Sequence, residues 1–193
     1  MILETAAVKP AEHEISKYGL KLFKWAVDGV AAVVNPENNI RSLAREQLMT
    51  IFSGDITNWK NVGGENRRIN LYIRDKASGT RKVFWKKALN RGDVAPVAVA
   101  VVSNGAMKTA VANDPCGIGY ISVGHIDESV KGVTIDGIAP TRENVQTSKY
   151  KVARGLYSLT RGEPEGLSKL FIDYLFSPEG QDIVAEKGFI PVR

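Results

Sequence analysis

Between positions 69 and 74 apolar and polar residues alternate: Ile69, Leu71 and Ile73 share one face, and Asn70, Tyr72 and Arg74 share the other. A period of two predicts a half-buried strand. Three residues later Ser78-Gly79-Thr80 opens a helical pattern with Val83, Phe84 and Ala88 inward. The same alternation of strand and helix runs along the chain. Residues 25–34 read as a strand closed by Asn35-Pro36. Ser42 is the expected cap of a helix whose Leu48, Ile51 and Phe52 fall on one face, with Gly54 at its end. Residues 58–64 have turn chemistry. Residues 95–102 and 117–123 read as strands, separated by a helix with Asn104 as cap and Met107 and Val111 inside. Residues 152–159 read as a further strand. An amphipathic helix over 164–176 follows, then one that starts at Ser177-Pro178 and stops at Gly188. Strands alternating with helices predict an α/β fold.

Composition leaves that picture standing. Of 193 residues, 44% are hydrophobic and 24% charged, as in an ordinary folded protein. The longest apolar run, residues 30–34, is far below the roughly 20 residues of a membrane-spanning helix. A net charge of +5 tolerates anions and is a weak signal for nucleic acid. The single Cys116 excludes an intrachain disulfide. The opening Met1-Ile2-Leu3-Glu4-Thr5 carries an acid early and lacks the basic start and long apolar stretch of a secretion signal, so the first residues fit a mature or a cytosolic chain. Residues 1–3 resemble the end of a buried strand.

The informative segment is 72–81. A ligand of an open α/β sheet binds beyond the carboxyl ends of its strands. A helix start offers unpaired N–H groups and the positive end of its dipole. Gly79 allows close approach to the backbone, Ser78 and Thr80 add hydroxyls, and Arg74 adds a planar fork able to turn back onto the same anion. These groups suit a small tetrahedral oxyanion. The plainer alternative is a Ser-capped surface helix, with Arg74 paired to Asp75 or another acid.

Other residues have structural explanations. His13 and His125 stand apart without a ligand pattern, and Cys116 has no placed base. Arg81-Lys82 and Lys86-Lys87 read as a solvated helix face, with a nucleic-acid surface as the lesser alternative. Trp25, Trp59 and Trp85 read as core or hinge packing.

Several segments, in this order and spacing, resemble one family. They are Ala26-Val27-Asp28-Gly29-Val30-Ala31 with Asn35-Pro36, Ile51-Phe52-Ser53-Gly54 leading to Ile56-Thr57-Asn58-Trp59, and Arg74 with Ser78-Gly79-Thr80-Arg81. Ser103-Asn104-Gly105, Val111-Ala112-Asn113-Asp114-Pro115, Gly117-Ile118-Gly119-Tyr120 and Phe176-Ser177-Pro178-Glu179-Gly180-Gln181 continue the series. The chain resembles the phosphate-binding proteins of phosphate ABC transporters, of the type 2 periplasmic substrate-binding fold. That resemblance implies two α/β lobes joined by two hinge strands that close on phosphate. It puts the hinge strands at 26–34 and 151–159, a complete second lobe at 35–150, and a partial first lobe at 1–25 and 160–193. It implies phosphate contacts from Arg74, Ser78, Gly79 and Thr80, with no catalytic residue, metal or cofactor. It further implies membrane subunits of an ABC importer as partners, no nucleic acid, and a place in the periplasm or on the extracellular face.

The likeness has gaps. The family's opening strand and two serine-rich phosphate loops have no counterpart, and Thr5-Ala6 stands where a Ser followed by Arg or Asp is usual. Thr5 supplies a hydroxyl toward phosphate. Ala6 supplies neither charge nor acceptor, so the family's discrimination against sulfate does not carry over. Lys76 stands where an acid or neutral residue is usual. Missing charge-assisted bonds, worth about 1.5–3 kcal/mol each, predict weak binding. Leu167, Leu170, Phe171, Leu175 and Ile183 are expected over an incomplete core, which predicts a homo-oligomer or marks the chain as a fragment. The alternative function is that of a shortened, non-transporting relative serving self-association or protein interaction. An enzyme acting on phosphoesters has no visible nucleophile-and-base pair.

Overall fold

A computed structural model describes residues 4–6 and 9–192, without the side chains of 4–6. The expected strand end at residues 1–3 lies outside them. The chain divides into two compact units, one of residues 1–28 and 154–193, the other of 29–153. The elements, in chain order, begin with β1 (Glu4–Ala6), α1 (Glu12–Tyr18), β2 (Leu20–Val34), β3 (Ser42–Leu43), α2 (Arg45–Ser53), β4 (Asn70–Arg74) and α3 (Gly79–Lys87). Then come β5 (Val99–Val101), α4 (Asn104–Ala112), β6 (Gly117–Ser122), β7 (Lys131–Gly132), β8 (Thr134–Ile135) and α5 (Arg142–Gln146). The chain finishes with β9 (Ala153–Arg161), α6 (Gly166–Leu175), α7 (Pro178–Glu186) and β10 (Ile190–Pro191).

The larger unit is built on an unbroken apolar run. Residues 30–34 are fully buried and pair antiparallel with β6, Val30 opposite Ser122 and Val34 opposite Ile118. A continuous buried run is what a strand covered on both faces requires. Beyond β6 the sheet turns parallel: β4 pairs with β6 through Asn70 and Leu71, and β5 pairs with β4, with Val101 beside Arg74. Helices α3 and α4 follow β4 and β5, so both begin at the carboxyl ends of parallel neighbours. Phe84 of α3 stacks on Tyr120 of β6 at 4.2 Å, and Phe52 of α2 meets Phe84 edge-on at 5.3 Å. Asn35, just past β2, donates from Nδ2 to the Ala112 carbonyl at 2.7 Å, capping the end of α4. A short parallel pair, β3 with β8, completes this unit's strands.

In the smaller unit β9 lies between β1 and β2, and β10 joins β2 through Ala26 and Val27. Ala26, Leu156 and Val184 form its core cluster, with Trp25 and Phe189 packed against it. Asp28, with its side chain 1% exposed, receives both Nε and Nη2 of Arg154 on Oδ2.

Several sequence expectations shift. Helix α2 starts after Ala44, whose N–H is taken by the Gln47 side chain, so Ser42 is a strand residue and not the cap. Ser103, not Asn104, caps α4. The strand expected over 95–102 is formed only at Val99–Val101, on a sheet edge where Val97, Val99 and Val102 remain exposed. Strand β2 begins five residues early, at Leu20, and the helix expected from 164 starts at Gly166. Trp85 is a surface residue, whereas Trp59 is buried and donates to the Cys116 carbonyl. The apolar stripe of α6 faces out: Leu167 is 85% and Leu170 65% exposed, while Ile172 turns inward.

Candidate functional site

The segment from β4 to α3 is held by its own side chains. The Asp75 carboxylate accepts from the Ala77 N–H at 2.9 Å, closing the loop. Ser78 caps α3, its Oγ accepting from the Arg81 N–H at 3.2 Å. An accepting hydroxyl still has its own proton to give. Gly79 and Thr80 are the first two residues of the helix, at the positive end of its dipole. Ser78 and Thr80 are buried and Gly79 is half-buried.

Arg74 sits at the last position of β4. Its N–H donates to the Tyr120 hydroxyl at 2.9 Å, and its carbonyl accepts from Arg81 Nη1 at 2.6 Å. Its side chain is only 12% exposed. Nη1 donates to Asn104 Oδ1 at 3.1 Å and Nη2 to the Val102 carbonyl at 3.0 Å. The nearest carboxylate oxygen, Asp75 Oδ2, is 3.9 Å from Nη2. Nε is buried without a partner among the described residues. A guanidinium has five N–H bonds, so three are left over.

The structure thus brings Arg74, Ser78, Gly79 and Thr80 onto one strand–loop–helix segment. The Arg74 fork is tied to the start of α4; no bond to the 78–80 turn holds it. The paired-acid alternative holds only in part: Asp75 Oδ2 forms a long ion pair with Nη2, beyond hydrogen-bonding reach of the guanidinium. Thr5 lies in β1 of the smaller unit, opposite Ser158; its side chain is outside the described residues.

The sequence reading missed Asn104 and Val102 as partners of Arg74, and Arg81 and Tyr120 as supports. Arg81 was expected on a solvated face, together with Lys87, whose Nζ donates to the Ala153 carbonyl at 2.5 Å. Burial pushes the Lys87 ammonium down from its ordinary pKa, and the charges of Lys86 and Lys151 push the same way. Burial raises the Tyr120 hydroxyl; the Arg74 hydrogen bond and the nearby Arg81 and Arg74 charges pull against it. Burial outweighs them, although residues 74–82 hold four cations and one carboxylate. Among the described residues no group of three His, Cys, Asp or Glu side chains is placed to hold a metal ion.

Comparison with known proteins gives a consistent family. A family model described as a PBP superfamily domain matches residues 5–179. The phosphate-binding protein PstS of Bacillus subtilis is 39% identical over 169 residues, which are 86% of this chain and 56% of that protein. PstS of Borreliella burgdorferi is 33% identical over 91% of this chain and 67% of its own length. Among solved structures, an ABC-type phosphate transport receptor from Vibrio cholerae superposes with a TM-score of 0.84 at 36% identity, over 97% of this chain and 79% of that one. A provisionally assigned phosphate ABC transporter substrate-binding protein from Clostridium perfringens, solved with bound phosphate, gives 0.86 at 34% identity, over 99% and 79%. The chain spans little more than half the length of the Bacillus relative.

Proposed function

The chain belongs to the PBP superfamily and, within it, to the phosphate-binding proteins, and from that premise we propose that it captures inorganic phosphate or a similar tetrahedral oxyanion as the substrate-binding component of an ABC importer. The observation that carries this reading is the Arg74 guanidinium. Its side chain is largely buried, it has no carboxylate in hydrogen-bond range, and it keeps three unused N–H bonds at the end of the strand that leads into α3. A largely buried charge whose one nearby carboxylate stands beyond hydrogen-bond range is costly, and a bound anion lowers that cost. Arg74 neutralises charge and grips oxygen. Ser78 and Thr80 give hydroxyl protons, and the amides at Gly79 take remaining oxygens. Thr5 is a further hydroxyl assigned to phosphate by the family resemblance.

Binding here is non-covalent and no bond is made or broken. The chain crosses between units at 28–29 and 153–154, within β2 and at the start of β9, which supports reading these two strands as the hinges of the proposed receptor. The membrane subunits of the importer are its partners, and its place is the periplasm or the outer face of the membrane. Among the described residues no helix is long and apolar enough to cross a membrane.

The test is calorimetric titration with phosphate, sulfate and arsenate. Wild type is expected to give saturable heat with phosphate. Arg74→Ala loses at least about tenfold in affinity, since each charge-assisted bond is worth about 1.5–3 kcal/mol. Null heats for both chains reject transport binding.

One observation favours a second reading, self-association. Leu167, Leu170, Phe171 and Tyr174 of α6 are all at least 40% exposed on one helix. Apolar surface gathered in this way marks an interaction face.

A further inference from the structure

Asn104 is the first residue of α4, one step beyond its Ser103 cap. Its Oδ1 accepts from Arg74 Nη1, and its Nδ2 donates to Ser122 Oγ at 3.2 Å. Ser122 closes β6 and is 1% exposed. A guanidinium can only donate, so the Asn104 amide has one workable orientation, oxygen to Arg74 and nitrogen to Ser122. The Val102 carbonyl holds the other terminal nitrogen of the fork. Both acceptors come from the short stretch that joins the end of β5 to the first residue of α4, which the parallel register of Val101 beside Arg74 brings alongside.

Both acceptors are also neutral. An aspartate at 104 would accept the same hydrogen bond more strongly, and its charge would cancel that of the guanidinium. We propose that Asn104, anchored by Ser122, is a positioning residue that clamps the Arg74 fork without adding a second carboxylate to the one 3.9 Å away at Asp75, so that positive charge remains for an anion. The clamp fixes the plane of the fork, and its neutrality preserves the electrostatic demand for a ligand. For the identity of the ligand the inference rests on the oxyanion reading above.

The clamp is tested on the full chain with Asn104→Ala, Asn104→Asp and Ser122→Ala, by two measurements. The first is 15N spectroscopy of the arginine side chains, with Arg74 assigned by loss of its signals in Arg74→Lys. In wild type the Arg74 Nη groups rotate slowly and give separate resonances. In Asn104→Ala they merge, in Asn104→Asp they stay separate, and Ser122→Ala falls between. The second is titration with inorganic phosphate. Asn104→Ala loses about tenfold, the value of one hydrogen bond to a charged group, and Asn104→Asp loses about a hundredfold despite its firmly held fork. A merely structural residue gives the opposite order, with aspartate restoring what alanine loses. Wild-type affinity in Asn104→Asp, or separate Nη signals in Asn104→Ala, overturns the proposal. A wild-type chain that gives no heat with phosphate rejects the oxyanion reading instead, and the Nη resonances then decide the clamp alone.

Discussion

Removing one oxygen from Tyr120 isolates the contact that seats Arg74. The β4–β6 ladder registers Asn70 with Gly117 and Leu71 with Ile118. By the end of β4 the N–H of Arg74 donates to the Tyr120 hydroxyl instead. Tyr120→Phe keeps the ring, and with it the 4.2 Å stack on Phe84, so no cavity is opened. What remains is a partly buried N–H without an acceptor, which costs about 1–3 kcal/mol. Arg74 is not wholly sealed from water, so the lower half of that range is expected. For a chain of this size each kcal/mol moves the melting temperature by about 2–4 °C, giving a fall of about 2–8 °C. Urea unfolding followed by far-ultraviolet dichroism measures the loss. Tyr120→Leu, which also removes the stack, falls further and serves as the control. If Tyr120→Phe unfolds within about 0.3 kcal/mol of wild type, the hydroxyl is not the acceptor that seats Arg74.

Three other outcomes follow from packing and charge. Burial holds the Tyr150 hydroxyl well above the ordinary tyrosine range, and it raises Tyr120 as well. Above pH 10 the unfolded chain therefore loses these protons first, and stability, complete below pH 10, falls as pH rises; a urea midpoint followed from pH 8 to 11.5 drops less steeply in Tyr150→Phe, and equal slopes contradict the assignment. A Cβ on Gly180 would stand 2.0 Å from the Tyr174 carbonyl oxygen, between α6 and α7, so Gly180→Ala is expected to cost about 1–3 kcal/mol; an unchanged melting curve contradicts that. Sedimentation velocity is expected to show concentration-dependent association that Leu167→Glu with Leu170→Glu abolishes, and a wild-type monomer at every concentration ends the self-association reading.

The parts legible in the sequence are those ruled by local chemistry. Alternation at Ile69, Leu71 and Ile73 revealed β4, proline at the first turn revealed α7, and Ser78 revealed the start of α3. Where two local signals compete, tertiary contact decides. Ser103 and Asn104 are both good caps, and only the call of Arg74 for an acceptor assigns one to the helix and the other to the fork. Ala44 carries no capping side chain at all, and Gln47 serves its N–H from within the helix. The edge at Val99–Val101 reads as core because exposure is invisible in an apolar run. The candidate anion-binding segment was legible as a strand, loop and helix start. The acceptors that hold its guanidinium lie 28 and 30 residues away, and only the parallel register of β4 and β5 brings them to it.

Whether one guanidinium and one helix start share an anion is settled by an NMR titration of the full chain with inorganic phosphate. The Arg74 Nε–H and the amides of Gly79 and Thr80 are expected to shift together, along a single binding curve, with the Asn104 side-chain amide following. Shifts at Gly79 and Thr80 while Arg74 Nε–H stays still, or no shift in this segment at saturating phosphate, would show that the two features do not form one site.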